Sequence, residues 1–353
     1  MEIKKPAIAW RALSLAAAFA GCAQFARTGG GSSSGSQESD DNVFALAATS
    51  ASMHESAPAT SSALDRIDQR SPRLDGVYRR IGTGRGVTVY VFDGGVSTTH
   101  PELAGRVRLG YSAFPRDPKI CNAHGTAVAG AIAGTTLGVA PDAEIVDVKM
   151  VECATVRGTV RAIVDGARWV VEDHEIRGGP AIANWSFIAD TASELPALDS
   201  AVSLLRRAGI AVIVSAGNFD LDACRVSPAN ARGTLVVGSS SLTRDSTAAA
   251  RDSAFVDRRT PATAWGSCVD LYAPGDSVML PSLDAELQPI AQAWNGTSMA
   301  TGYVSGAAAL YLELKPRATP DQVADYLRAN ATPSIVRDGR SAVTRLLYVG
   351  TGR

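Results

Sequence analysis

The sequence predicts an α/β domain with a mostly parallel central sheet and helices on both of its faces. Three observations carry that prediction. Short apolar runs rich in β-branched residues recur along the chain without polar alternation, as strands buried on both faces require. Helical patterns lie between them, the alternation of a βαβ wind rather than of a sandwich. No internal repeat and no second linker interrupts residues 63–353, so that stretch is expected to be one domain.

The elements follow in order. Val87-Thr88-Val89-Tyr90-Val91-Phe92 is the first strong strand and ends on Asp93. Residues 145–150, 181–187, 210–215 and 235–238 read as further buried strands. Residues 125–133, rich in Ala and Gly, residues 156–173 and residues 196–208 read as helices, as does the apolar stretch 304–312. Thr319-Pro320-Asp321-Gln322 opens a last helix with an N-cap, a proline at N1 and a glutamine at N3.

Charge and length narrow the class. A net charge of -1, from 34 basic and 35 acidic residues, excludes the basic footprint of a nucleic-acid-binding protein. No apolar run reaches the roughly 18 residues of a membrane span. Lys4, Lys5 and Arg11 precede an apolar run over 12–20, and small residues close it, so residues 1–22 read as an export signal. Its last four residues, Phe19-Ala20-Gly21-Cys22, resemble the lipobox of bacterial lipoproteins. That resemblance implies an acyl anchor on Cys22 and a lipid bilayer as partner, and Ala23 resembles the residue of lipoproteins sent to an outer membrane. A periplasmic or secreted protein is the alternative. The Gly/Ser tract 29–36 and the acidic stretch after it cannot bury enough apolar surface to order themselves, so residues 23–62 are expected to be a flexible tether.

Of five cysteines, Cys22 leaves four: Cys121, Cys153, Cys224 and Cys268. An even set suits disulfides in an exported protein, and spacing alone leaves all three pairings open. None is spaced as C-x-x-C, which argues against a zinc site or a thioredoxin-like centre.

Ligands of open α/β sheets gather at the carboxyl ends of the strands, where Asp93 stands, followed by Gly94-Gly95. His124 opens a small-residue helix, and Ser298 lies at the entry to another. A serine there meets free N–H groups and the positive end of the helix dipole. Its hydroxyl needs a base to become nucleophilic, and the imidazole needs an acid to fix its tautomer. Singly, each of the three has an ordinary structural role as a turn, core or cap residue. Together with the words around them they resemble the subtilisin-like serine proteases, in the proteinase K and aqualysin branch. The matching words are Val91-Phe92-Asp93-Gly94-Gly95-Val96, Thr99-His100-Pro101-Glu102-Leu103, His124-Gly125-Thr126, Ser215-Ala216-Gly217-Asn218 and Gly296-Thr297-Ser298-Met299-Ala300-Thr301. Leu64-Asp65-Arg66-Ile67-Asp68-Gln69-Arg70 and Gly266-Ser267-Cys268-Val269-Asp270-Leu271-Tyr272-Ala273-Pro274-Gly275 mark the branch.

The resemblance implies a single subtilisin-like domain acting as an endopeptidase on peptide or protein substrates, with no cofactor needed for the chemistry. Ser298 would be the nucleophile, His124 the base, Asp93 its orienting carboxylate and Asn218 an oxyanion donor. Ser215, Ala216 and Gly217 would wall the pocket before the scissile bond, and Ser186, Phe187 and Ile188 would flank an extended peptide. Cys121 would pair with Cys153, and Cys224 with Cys268. Asp270 matches a structural calcium ligand, helped by carbonyls near Arg232 and Thr234; for a lone carboxylate, capping or salt bridging is the competing role. Gly94, Ala127, Ile188 and Gly302-Tyr303 depart from the family's usual residues, and Ile188 is expected to narrow the site. The tether is too short for the intramolecular chaperone such proteases carry, which leaves unaided folding, a separate inhibitor or chaperone protein, or restricted cleavage. These departures motivate a second reading, a tethered pseudo-protease that binds peptides without turnover. An exported esterase is disfavoured because Ser298 does not stand in a G-x-S-x-G elbow.

Overall fold

The computed structural model describes residues 55–189, 195–245, 255–337 and 340–350. The export signal, Cys22 and most of the tether lie outside them. The chain runs β1 (Glu55–Pro58), α1 (Ser62–Ile67), β2 (Val77–Arg80), β3 (Thr88–Asp93), β4 (Val107–Ser112), α2 (His124–Ala133), β5 (Glu144–Lys149), β6 (Val151–Glu152), β7 (Arg157–Gly158) and α3 (Val160–Arg177). It continues with β8 (Ala181–Trp185), α4 (Leu195–Arg207), β9 (Ala211–Ser215), β10 (Leu235–Arg244), β11 (Phe255–Arg259) and β12 (Leu271–Pro274). The last elements are β13 (Val278–Leu283), β14 (Pro289–Trp294), α5 (Thr297–Leu314) and α6 (Pro320–Asn330).

Eight strands form the central sheet, in the order β11-β10-β9-β8-β3-β5-β4, with β12 beside β10. Every pairing in it is parallel except β10 with β11, as the unbroken apolar runs predict. From β3 the chain winds toward β4 and β5, then returns past β3 to lay down β8, β9 and β10. That reversal opens a crevice at the carboxyl ends of β3 and β8. One core, with Val89, Val91 and Ile213, lies under α2 and α5; the other, with Tyr90, Phe92, Val148 and Trp185, lies under α3 and α4.

Several boundaries differ from the sequence reading. The described fold begins before residue 63, because β1 pairs antiparallel with β2, Glu55 opposite Arg80 and Pro58 opposite Val77. A four-residue strand whose partner lies beyond a helix leaves no local pattern. The third helix starts at Val160 rather than 156: Thr159 caps it by accepting the Ala162 N–H, and the residues before it form the β6–β7 hairpin. The strand β8 ends at Trp185, so residues 186–188 are free to line the crevice.

Candidate active site

Asp93 closes a strand whose last five residues are all buried. The Gly94 N–H donates to its Oδ1 at 2.7 Å, and Nδ1–H of His124 donates to its Oδ2 at 2.8 Å. His124 is the first residue of α2, and its backbone N–H donates to Asn122 Oδ1 at 2.9 Å. With Nδ1 held by a carboxylate, the imidazole presents Nε2 as its free acceptor. Burial disfavours the imidazolium, but the Asp93 charge and hydrogen bond together outweigh it, so His124 holds its proton above the ordinary histidine range. The Trp294 and His124 rings pack nearly perpendicular, with centroids 6.1 Å apart.

Ser298 is the second residue of α5, buried, at a helix start where N–H groups lack partners. Its hydroxyl donates to the Ser186 carbonyl at 3.1 Å, and Ser186 Oγ donates back to the Ser298 carbonyl at 3.0 Å. Gly296 caps the helix at φ 127°, in the region that favours glycine. A Cβ there would also stand 3.2 Å from Asn218 Nδ2. Asn218 is oriented by its oxygen: Oδ1 accepts the Thr297 N–H at 2.9 Å and the Thr297 hydroxyl at 3.1 Å. That leaves Nδ2 as a donor at the entry to α5.

The two expected walls run out from these groups. Ser215 Oγ donates to the Phe187 carbonyl at 3.2 Å and pins one wall to the other. Ala216 is fully buried. Gly217 has φ 101°, and a Cβ on it would lie 3.3 Å from Ile188 Cγ2 and 3.9 Å from Ala264 Cβ. Ile188 therefore lies across the gap between the walls. The Phe187 ring instead stacks on Trp185, with centroids 5.3 Å apart, so Phe187 borders the groove through its backbone.

The Peptidase S8 subtilase family model matches residues 84–348, a span that holds Asp93, His124, Asn218 and Ser298. The chain belongs to the subtilase family. An extracellular serine proteinase of Thermus sp. (strain Rt41A) is 40% identical over 314 residues, covering 88% of this chain and 69% of the relative. Alkaline serine exoprotease A of Vibrio alginolyticus is 38% identical, covering 81% of this chain, which spans only 49% of that protein's length. The crystal structure of a cold-adapted subtilisin-like serine proteinase superposes with a TM-score of 0.71 at 37% identity, covering 82% of this chain and 98% of that one. The chemistry of this subtilase is that of a serine endopeptidase.

Two disulfides brace the loops of the site. Cys121 bonds Cys153, and the Cys121 N–H donates to the Gly94 carbonyl at 2.8 Å, which ties the bridge to the turn after Asp93. Cys224 bonds Cys268 and fastens the loop that follows Asn218. Both oxygens of Asp270 meet donors of this chain. Its Oδ1 accepts Arg328 Nε at 2.8 Å and its Oδ2 accepts the Val236 N–H at 2.8 Å. Both oxygens face donors, so of the two roles open to Asp270 this geometry is the salt bridge.

Sequence reasoning missed several supports. Thr297 fixes Asn218, Asn122 orients the start of α2, and Trp294 covers His124. Asn184 and Ser305 were also unforeseen: Ser305 Oγ donates to Asn184 Oδ1 at 2.9 Å, and Asn184 Nδ2 donates to Ser186 Oγ at 2.9 Å. This buried relay joins α5 to the end of β8. Thr297 lies inside a recognised word and Asn122 two residues before another; the relay has no local signal. Gly302 has a packing reason, because a Cβ there would meet Ala131 Cβ at 2.9 Å, where α5 crosses α2.

Proposed function

We propose that Ser298, His124 and Asp93 form the catalytic triad of an exported endopeptidase with restricted cleavage, and that Asn218 is its oxyanion donor. The observation that carries this reading is the pairing of a half-buried Asp93–His124 hydrogen bond with an Asn218 whose oxygen is held by Thr297, which leaves its amide nitrogen as a donor at the entry to α5. A turn about the Ser298 Cα–Cβ bond exchanges the Ser186 carbonyl for His124 Nε2 as acceptor. Oγ then attacks the scissile carbonyl carbon while its proton passes to Nε2, and Asp93 stabilises the imidazolium. The oxygen takes the negative charge and receives Asn218 Nδ2–H and the Ser298 N–H. His124 returns the proton to the leaving amine as the C–N bond breaks, which leaves an ester on Ser298. Water, deprotonated by His124, hydrolyses that ester and restores the hydroxyl.

The substrate is an extended segment laid along residues 186–188. The side chain before the scissile bond enters the gap between the two walls, where Ile188 leaves room for a small residue. Replacing Ile188 with Gly should admit large residues there, with about 10–200-fold gains in kcat/KM for bulky apolar side chains, the worth of one to a few methylenes. Equal profiles in a peptide series would remove Ile188 from the pocket. We further read residues 1–22 as a lipoprotein signal that leaves an acylated Cys22, with a tether shortened at its end by β1. Among the described residues no helix is long and apolar enough to cross a membrane. Palmitate incorporation lost in Cys22→Ala supports the anchor, and membrane retention of that variant counts against it.

The deciding experiment is labelling by a fluorophosphonate. Folded wild type should label and Ser298→Ala should not. An unlabelled wild type would favour the peptide-binding pseudo-protease.

A further inference from the structure

One strand away from the triad carboxylate lies a buried carboxyl that the mechanism does not use. In the β3–β5 ladder Val91 stands opposite Asp147 and Asp93 opposite Lys149. Side chains alternate along a strand, so Asp93, Asp147 and Lys149 share the face covered by α2. Asp93 and Asp147 are diagonal neighbours in that ladder, roughly 7–8 Å apart between backbone positions and less between side chains.

The surroundings of Asp147 make its charge consequential. It is 4% exposed, and its Oδ1 has no hydrogen-bond partner among the described residues. The charged or titratable groups around it are few. From β3 comes Asp93; from its own strand comes Lys149, whose ammonium donates to the Val151 carbonyl at 2.9 Å and stands 3.5 Å from Asp117. From α2 comes only His124, bound to Asp93. On β4 its register partner is the apolar Leu109. The loop after β3 carries His100, whose ring nitrogens are committed to the Ile290 carbonyl and the Glu102 N–H. Burial pushes the Asp147 carboxyl up to about 7; the Val96 N–H opposes this, the Asp93 charge adds to it and Lys149 pulls it back.

We infer that Asp147 is a positioning residue of the triad, a second buried carboxyl whose ionisation, acting through Asp93, sets how tightly His124 holds its proton. This rests on the proposed role of His124 as base. An ionised Asp147 adds negative charge beside Asp93 and favours the imidazolium. A protonated Asp147 removes that charge and lets His124 release its proton at lower pH. The two protons are coupled, so the acid limb of activity belongs to the pair rather than to His124 alone.

The test is a nuclear magnetic resonance titration of His124 in the full chain, assigned by loss of its signal in His124→Gln. Asp147→Asn keeps the shape and removes the charge. Its His124 midpoint should fall, by up to about half a pH unit, and its kcat/KM relative to the plateau should exceed wild type between about pH 7 and 8, where Asp147 is ionised, and match it near about pH 5.5, where Asp147 is protonated in wild type. Unchanged midpoints overturn the inference. Asp147→Ser, smaller and also uncharged, is read in the same way. In wild type the Asp147 carboxyl carbon should titrate near neutrality; titration below about pH 5, in the range of an ordinary carboxylate, also overturns it. The resonance needs no turnover. A shifted midpoint in a protein that never labels with fluorophosphonate would therefore fault the protease reading and leave the coupling intact.

Discussion

Two carboxylate–cation pairs lie inside this subtilase, and they are built for opposite ends. Arg66 on α1 grips Asp257 on β11 through Nε at 2.9 Å and Nη2 at 2.7 Å, with both side chains 1% exposed. Asp93 holds His124 at 2.8 Å, with side chains 7% and 31% exposed. The guanidinium never loses its charge, and its planar fork takes up both carboxylate oxygens. The imidazole takes one oxygen, keeps its second nitrogen free and can give up its proton near neutrality. Similar electrostatics therefore fasten the first helix to the sheet in one place and leave a movable proton in the other.

The sharpest way to break this comparison is to remove each cation. His124→Ala should lower kcat/KM by roughly 10³–10⁴-fold, toward the upper range for a positioned acid–base group. Its midpoint of thermal unfolding should stay close to wild type, because the ring is partly exposed. A variant that lost comparable stability would make His124 structural as well as chemical. Arg66→Ala should do the reverse. It strands Asp257 in the core and should cost about 3–5 kcal/mol in denaturant unfolding, while molecules still folded keep their kcat. Near-wild-type stability would mean that water or a neighbour satisfies Asp257, and the pair would not be a lock.

The two pairs were also unequally legible in the sequence. Asp93, His124, Asn218 and Ser298 each sit at the end of a strand or the start of a helix, inside a run of small residues, and short words announce them. Arg66 appeared only as part of a family word, since Asp257 lies on an antiparallel edge strand 191 residues away. Distance along the chain hid other features for the same reason. The β13–β14 hairpin is largely exposed on its second strand, so it lacks the apolar run that marks the central strands. Asp147 was invisible because a lone acid in an otherwise buried strand reads as a solvent-facing residue until the register places it beside Asp93. The opening strand β1 gave no signal because its partner β2 supplies the pairing.

A third pair, Asp270 with Arg328, refines the comparison at the smallest scale. It is the most exposed of the three, 21% and 32%, and Arg328 also reaches Asp325 at 3.1 Å within α6. Here the cation fastens α6 to the start of β12. Arg328→Gln should therefore lower stability by only about 1 kcal/mol or less, as for an ion pair open to solvent. Chelator should leave the unfolding midpoint of wild type unchanged as far as Asp270 is concerned. If calcium stabilised Arg328→Gln and not wild type, the guanidinium would be occupying a site that still holds a cation once vacated. If calcium stabilised wild type through Asp270, judged by loss of that effect in Asp270→Asn, Arg328 would have to swing aside. The pair would then join His124 among those that exchange partners.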